Sequence, residues 1–192
     1  MNSIVVEDEL FARFTRRMYW VKTTAEVELD YFLKSMTKNF YKKNRWRACY
    51  SINTNDIQPL RYQAIVDKYE PRLFETLCKK EGIAVNDIVE ISCIAFGEMS
   101  ILEKLNVYYG AIKDSVSTNK KIVLGGSINP KIAARFSILL QSKFPPIEVH
   151  IEGHSSNETL YLVYGETKNI IWRFLKVLPN VIWANLKKKV AI

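Results

Sequence analysis

Apolar and polar positions pattern most clearly between Asp87 and Gly153. Ile88-Val89-Glu90-Ile91-Ser92-Cys93-Ile94-Ala95-Phe96 is an almost unbroken apolar run of strand length, and it predicts a buried strand holding one carboxylate. Ser100-Ile101-Leu102-Glu103 then has the Ser-x-x-Glu form in which hydroxyl and carboxylate cap a helix start reciprocally. Ile101, Leu105, Tyr108, Ile112 and Val116 follow at helical spacing. Lys121-Ile122-Val123-Leu124-Gly125 predicts a second strand. Asn129-Pro130 predicts a second helix, with Asn as cap, Pro in the first turn, and a buried stripe of Ile132, Ala133, Phe136, Leu139 and Leu140. Pro145-Pro146 stops it, and Ile147-Glu148-Val149-His150-Ile151 alternates as a third strand. Crossovers this short favour neighbouring parallel strands.

The flanks read less sharply. Asp8–Phe14 suggests a short helix, and the aromatic, β-prone Arg16–Lys22 a first strand. Thr23-Thr24-Ala25-Glu26 has capping-box form, and the helix it predicts runs to about Lys42 through Ala25, Leu29, Phe32, Leu33, Met36 and Phe40. Lys38, Lys42, Lys43, Arg45 and Arg47, with Phe40, Tyr41 and Trp46 among them, form either a solvated helix end or an anion dock. Trp46–Ile52 and Leu60–Val66 read as a hairpin around Asn53-Thr54-Asn55-Asp56. Pro71 opens a short helix through Cys78 that Gly82 closes. Past a turn at Gly153–Asn157, Thr159–Tyr164 returns antiparallel to the third strand. The last segment is apolar and basic, with Trp172, Trp183 and Lys187-Lys188-Lys189, and Pro179 is expected to break any helix through it. It either packs on the domain or meets a membrane interface.

Composition narrows the class. At 192 residues and 48% hydrophobic, the chain suits one folded domain, with a lead-in over 1–15, a core over 16–165 and the basic segment over 166–192. No apolar run reaches membrane-span length, and the acidic start lacks a signal-peptide pattern. Cys49, Cys78 and Cys93 lie far apart, which suggests neither a disulfide framework nor a zinc site and suits a reducing cytoplasm. His150 and His154 span a strand and a turn, so no helical His pair and no metal site is expected. A net charge of +8 suits a polyanionic partner such as nucleic acid, an anionic membrane, a phosphorylated cofactor or an acidic carrier protein, or simply a soluble surface. No nucleic-acid motif supports the first, which makes nucleic acid the weaker partner.

Taken together, the element order resembles the GCN5-related N-acetyltransferase fold, an α/β (α+β) architecture with a mixed central sheet flanked by helices. Within it the chain resembles the acyl-homoserine-lactone and N-acyl amino acid synthases. Leu73-Phe74-Glu75 followed by Ile88-Val89-Glu90-Ile91-Ser92-Cys93-Ile94-Ala95 is similar to the signature of the so-called thermostable haemolysins. The resemblance implies acyl transfer from a thioester donor, acyl-carrier protein or acyl-CoA, to a small amine. It implies oxyanion donors at about Ile94, Ala95 and Phe96, and donor-binding positions at Gly97, Asn129 and Arg135. The loop Phe96-Gly97-Glu98-Met99-Ser100 departs from the family's glycine-rich pyrophosphate loop. That departure weakens acetyl-CoA as donor and leaves a carrier-borne long acyl chain open. Glu90 is either a general base with a raised pKa or an ion paired with Arg61 or Arg135. Ser92 stands beside it, Cys93 is a nucleophile or a small buried hydrophobe, and Tyr164 is a general acid or a packing residue. A non-enzymatic nucleic-acid binder and a membrane-active protein remain the alternatives.

Overall fold

The computed structural model describes residues 1–152 and 154–190, with the backbone alone at residue 182 and at residues 184–190. The expected turn at Gly153, and side-chain roles for Ile182, Leu186 and Lys187–Lys189, lie outside what is described. The chain runs β1 (Asn2–Val5), α1 (Glu9–Thr23), α2 (Leu29–Lys34), β2 (Met36–Lys42), β3 (Arg45–Thr54), α3 (Arg61–Tyr69) and α4 (Leu73–Lys80). It continues β4 (Ile88–Phe96), α5 (Ile101–Ser117), β5 (Ile122–Ser127), α6 (Pro130–Leu140), β6 (Ser142–Lys143), β7 (Ile147–His150), β8 (Asn157–Glu166) and α7 (Thr167–Val190). One mostly antiparallel sheet results, in the order β1-β2-β3-β4-β5-β8-β6, with β7 paired to β8. Among the described residues only β4 and β5 run parallel.

The sheet is covered on both faces. α1 to α4 bury Ala12, Tyr31, Phe32, Val66 and Phe74 on one side, against strand residues such as Cys93 and Leu124. α5, α6 and α7 bury Val107, Ile112, Leu140, Ile170 and Phe174 on the other, against Tyr50, Ile52, Val89 and Val123. Each fully buried large side chain is worth roughly 1.5–3 kcal/mol.

From β4 to β8 the expected elements form, with two differences. β7 is not a parallel neighbour of β5, because β8 sits between them. α6 ends at Leu140, where Gln141 takes φ +70, before either proline is reached. The Ser100–Glu103 capping box and the Asn129 cap both form.

Within residues 16–66 the expected strand at Trp46–Ile52 forms, as β3, and the other elements differ from expectation. Arg16–Lys22 is the second half of α1, not a strand, because Ala12, Thr15 and Tyr19 recur at helical spacing behind an Asp8 cap. Thr24 takes φ +59 and ends that helix, so Thr23–Glu26 caps nothing. Met36–Lys42 is a strand: Thr37 and Asn39 are buried polar residues, paired through Ser51 and Thr15. Lys43 and Asn44 both have positive φ, the two-residue turn that suits strand twist, so the hairpin is β2–β3 and its tip carries the basic run. Leu60–Val66 belongs to helix α3, not to a strand, and a residue remote in sequence caps it, as described below. Pro179 lies inside α7 instead of breaking it. The ring removes one helical bond, while Ile170, Phe174 and Leu178 hold the helix against the sheet.

Candidate active site

β4 pairs with β5 for only three residues, Ile88–Glu90 against Ile122–Leu124. Beyond Glu90 the strands part: Ile91–Phe96 stay with β3, and Gly125–Ser127 stay with β8. A bulge follows the parting. Ser51 faces Ser92 and Cys49 faces Ala95, so Cys93 and Ile94 together oppose Tyr50. Cys93 takes φ +51, a left-handed conformation that costs a non-glycine residue about 1–2 kcal/mol. The extra residue resets the alternation of faces. Ser92, Cys93 and Ala95 face the α1–α4 layer, whereas Ile91, Ile94 and Phe96 face α5–α7.

On the α5–α7 side the gap is apolar. A cavity of about 40 Å³ is lined by Ile91, Ile94, Tyr108, Val123, Gly125 and Phe136, among others. Tyr108 stands edge-on to Phe96 and Phe136, with ring centroids 5.2 and 6.0 Å away. Burial raises the Tyr108 pKa, against a downward pull from the Arg135 charge.

On the α1–α4 side the gap is polar. The fully buried Glu90 carboxylate accepts the Arg61 backbone N–H at 3.0 Å through Oε1 and the Tyr62 N–H at 2.7 Å through Oε2. These are first-turn donors of α3, whose own cap position is Leu60, without a side-chain oxygen. Glu90 is therefore the cap of α3, supplied from the neighbouring strand. Its Oε1 also accepts the Tyr31 hydroxyl at 2.7 Å. Tyr31 has one proton and gives it to Glu90, so the 2.6 Å contact with Ser92 is Ser92 donating to Tyr31. Burial pushes the Glu90 carboxyl above its ordinary value, against the Tyr62 amide, the Tyr31 hydroxyl and the Arg61 charge. Neither expected ion pair forms: Arg61 meets Glu90 through its backbone, and Arg135 is exposed on α6. The Tyr62 hydroxyl crosses the gap to the Gly126 carbonyl at 3.0 Å. A Cβ at Gly126 would stand 2.7 Å from Leu162 and 3.0 Å from the Tyr62 ring, so only glycine admits this plug.

The other candidates spread out. The Gly97 N–H already donates to the Arg47 carbonyl at 2.7 Å, so it is not free to bind a phosphate. Arg47 holds this loop a second time through the Glu98 carbonyl, and its buried Nε has no partner among the described residues. The N-terminus of α5 is closed by Ser100 and Glu103, and Lys42 bonds Glu103 at 2.7 Å. The Lys42 contact, then the Ser100 amide, hold the Glu103 carboxyl down at about 2. Asn129 is occupied as the cap of α6. Tyr164 is not brought to Glu90 and Ser92: Leu124 separates it from Glu90 across the sheet, and its hydroxyl donates to Glu81 at 2.6 Å. Burial, then Glu81, push Tyr164 up to about 12. Burial pushes the Cys93 thiol up to about 11, so it is protonated at neutral pH. Tyr31, Tyr62 and Tyr108 were missed as site residues. Tyr108 alone left a signal, as the one polar-tipped side chain in its helix stripe.

No protein-family profile and no curated protein matches the chain. Solved structures do. FeeM, an N-acyl amino acid synthase from uncultured soil microbes, superposes with a TM-score of 0.61 at 12% identity, covering 85% of this chain and 90% of that one. The AHL synthase LasI gives 0.56 at 15% identity, over 86% and 90%. An agmatine N-acetyltransferase gives 0.57 at 8% identity, over 86% and 100%. Likeness at such identities speaks to architecture alone, and the chain has the fold of the GCN5-related N-acetyltransferases.

Proposed function

We propose that the protein transfers an acyl group from a thioester donor to an amine. One observation carries the reading: β4 and β5 part at a bulge, with an apolar cavity on one side of the gap and a bonded carboxylate on the other. Amide formation needs a slot for the acyl group, donors for the developing oxyanion and an acceptor for the amine proton. Ile91, Ile94 and Val123 offer the slot. Backbone N–H groups of Ile94 and Phe96, on a strand that β5 has left, suit the oxyanion, whereas the Ala95 N–H is turned to Cys49 of β3. The amine nitrogen attacks the carbonyl carbon, the C–N bond forms, and collapse of the oxyanion breaks the C–S bond. The amine proton passes through Ser92 and Tyr31 to Glu90, whose raised pKa suits that task. The leaving thiolate is protonated by Tyr108, the tyrosine that lines the slot.

An acyl-carrier protein suits the donor side better than CoA. The capped α5 and the engaged Gly97 leave little for a pyrophosphate, while Lys42, Lys43, Arg45 and Arg47 at the β2–β3 tip suit an acidic carrier. FeeM is an N-acyl amino acid synthase and LasI an AHL synthase, which supports that branch, while the likeness to thermostable haemolysins rests on the Leu73-Phe74-Glu75 and Ile88–Ala95 motif alone. A small amine acceptor and a cytoplasmic setting, which three free buried cysteines suit, complete the reading.

The test is thiol release and product mass with acyl-carrier and acyl-CoA donors of graded chain length and a panel of amines and amino acids. Acyl amide formation that Ile94→Trp reduces at least about tenfold, through lost slot volume, is expected. No amide with any donor, or salt-sensitive nucleic acid held by the purified protein, overturns the reading.

A further inference from the structure

The outer face of α7 is a second surface with its own chemistry. Its inner face is spent on the core: Ile170 and Phe174 are buried against the sheet, and Ile171 and Leu178 pack partly against it. Outward stand Trp172, 68% exposed, Leu175, 44%, Pro179, and Trp183, 62%, at spacings of three, four and four residues. That spacing is one continuous helical stripe. α6 packs beside it, joined where Arg173 donates to the Leu139 and Leu140 carbonyls at 3.5 Å, and adds Ile138, 57% exposed. Burying such tryptophans is worth kilocalories, and a soluble surface has no use for a row of them.

Charge identifies what covers the stripe. From Thr167 to Ile192 the sequence holds Lys168, Arg173, Lys176, Lys187, Lys188 and Lys189 and no Asp or Glu, and the one acid just before it, Glu166, lies 3.5 Å from the exposed Lys168. α6 likewise carries Lys131 and Arg135 without an acid. A second copy of the chain would set this cationic face against itself. Tryptophan at headgroup depth beside lysines, facing negative charge, is the arrangement of a helix lying in a membrane interface. No described helix is long and apolar enough to cross a bilayer, so the contact is a surface one. We propose that the α6–α7 face docks onto an anionic lipid bilayer, inserting Trp172 and Leu175 while Lys168 and Lys176 meet the headgroups. Ile170, one turn from Phe174 on the inner face, also lines the cavity between the parted strands. Under the acyl-transfer reading, to which this consequence alone belongs, the docked helix is also a wall of the acyl slot.

The full-length protein is sedimented with vesicles of phosphatidylcholine alone and of phosphatidylcholine mixed with phosphatidylglycerol, without acyl donor or amine. Binding to the anionic vesicles, about tenfold weaker to neutral ones, is expected. The double variant Trp172→Ala, Leu175→Ala, both exposed positions, weakens anionic binding about tenfold at unchanged circular dichroism. Lipids brominated in their acyl chains quench the native protein's tryptophan fluorescence, and the double variant loses most of that quenching. No sedimentation with anionic vesicles overturns the proposal, as does equal binding by the double variant or binding without quenching. So does self-association, or capture of an acidic protein, that the double variant abolishes while vesicles leave the protein in solution. Failure here leaves acyl transfer in solution untouched, and a lack of transfer leaves vesicle binding untouched, so the two readings fall separately.

Discussion

On one face of β4, Glu90 and Ser92 are tied to α2 and α3 by four hydrogen bonds to Tyr31, Arg61 and Tyr62. On the other, Ile91 and Ile94 touch apolar groups around a small cavity. A strand buried on both faces can be apolar throughout. A buried carboxylate stabilises a fold only through the groups that satisfy it, and removing either side of such an arrangement is costly. The polar face is thus held to one geometry, while the apolar face keeps empty space. That division suits a site where a proton must be handled on one side and a featureless chain accommodated on the other.

The comparison breaks most visibly at Glu90. Glu90→Ala strands two first-turn amides of α3 and the Tyr31 hydroxyl, and about 3–5 kcal/mol of unfolding free energy is expected to be lost in urea titrations. On the opposite face Ile91→Val removes one methylene beside existing space, for about 0.5–1.5 kcal/mol. Similar losses on both faces would mean that the carboxylate is not the anchor. Glu90 also sets a pH dependence. Its folded pKa is raised, so between the ordinary carboxylate value and the raised one the native state binds more protons than the unfolded chain. Its contribution is complete below that window and is lost as pH rises through it. Glu90→Gln should flatten this part of the stability profile, and an unchanged slope would assign it to another group.

The seam between the faces is next in size. Gly126→Ala places a methyl 2.7 Å from Leu162 and 3.0 Å from the Tyr62 ring. Overpacking of this kind costs about 1–3 kcal/mol, and the Tyr62 plug should shift from the Gly126 carbonyl. Gly126→Ala together with Tyr62→Ala should recover part of the loss, since the smaller side chain yields space. A double variant whose costs simply add would show that ring and glycine are not coupled.

The two faces were not equally legible. Apart from Ile170 of α7, the cavity lining on the apolar face lies in residues 88–140, where strand and helix periods and two caps are local, and there the sequence predicted the elements. The polar face depends on long-range pairings. α3 is capped by Glu90, 28 residues beyond Tyr62, so no cap precedes Arg61 and its β-prone Tyr62, Ile65 and Val66 read as a strand. β2 hides its alternation because Thr37 and Asn39 point inward, where Ser51 satisfies the one and Thr15 and the Trp46 indole N–H satisfy the other. Glu90 itself was visible as the one carboxylate of an apolar run. Its partners were not, because tyrosines of α2 and α3 converge on it only once both helices are placed. Tyr164 shows the reverse error: its place on the last strand was right, yet Glu81 claims its hydroxyl.

The smallest expected change concerns the link between carboxylate and hydroxyls. Ser92→Ala removes one donor to the Tyr31 oxygen, whose own proton still goes to Glu90. Such a bond contributes about 0.5–1.5 kcal/mol, so the fold should survive with a small shift of its urea midpoint. Stability and catalysis then separate. If the amine proton travels through Ser92 and Tyr31, transfer should fall about 10²-fold or more, the usual worth of positioned proton transfer, while the donor's KM stays near its native value. Tyr31→Phe should give a similar loss of turnover with a larger loss of stability, because it also strips Glu90 of a donor. Full turnover by Ser92→Ala would leave Glu90 as the cap of α3 alone, and would move the search for the base to the apolar face, where Tyr108 is, among the described residues, the one side chain able to exchange a proton at the slot.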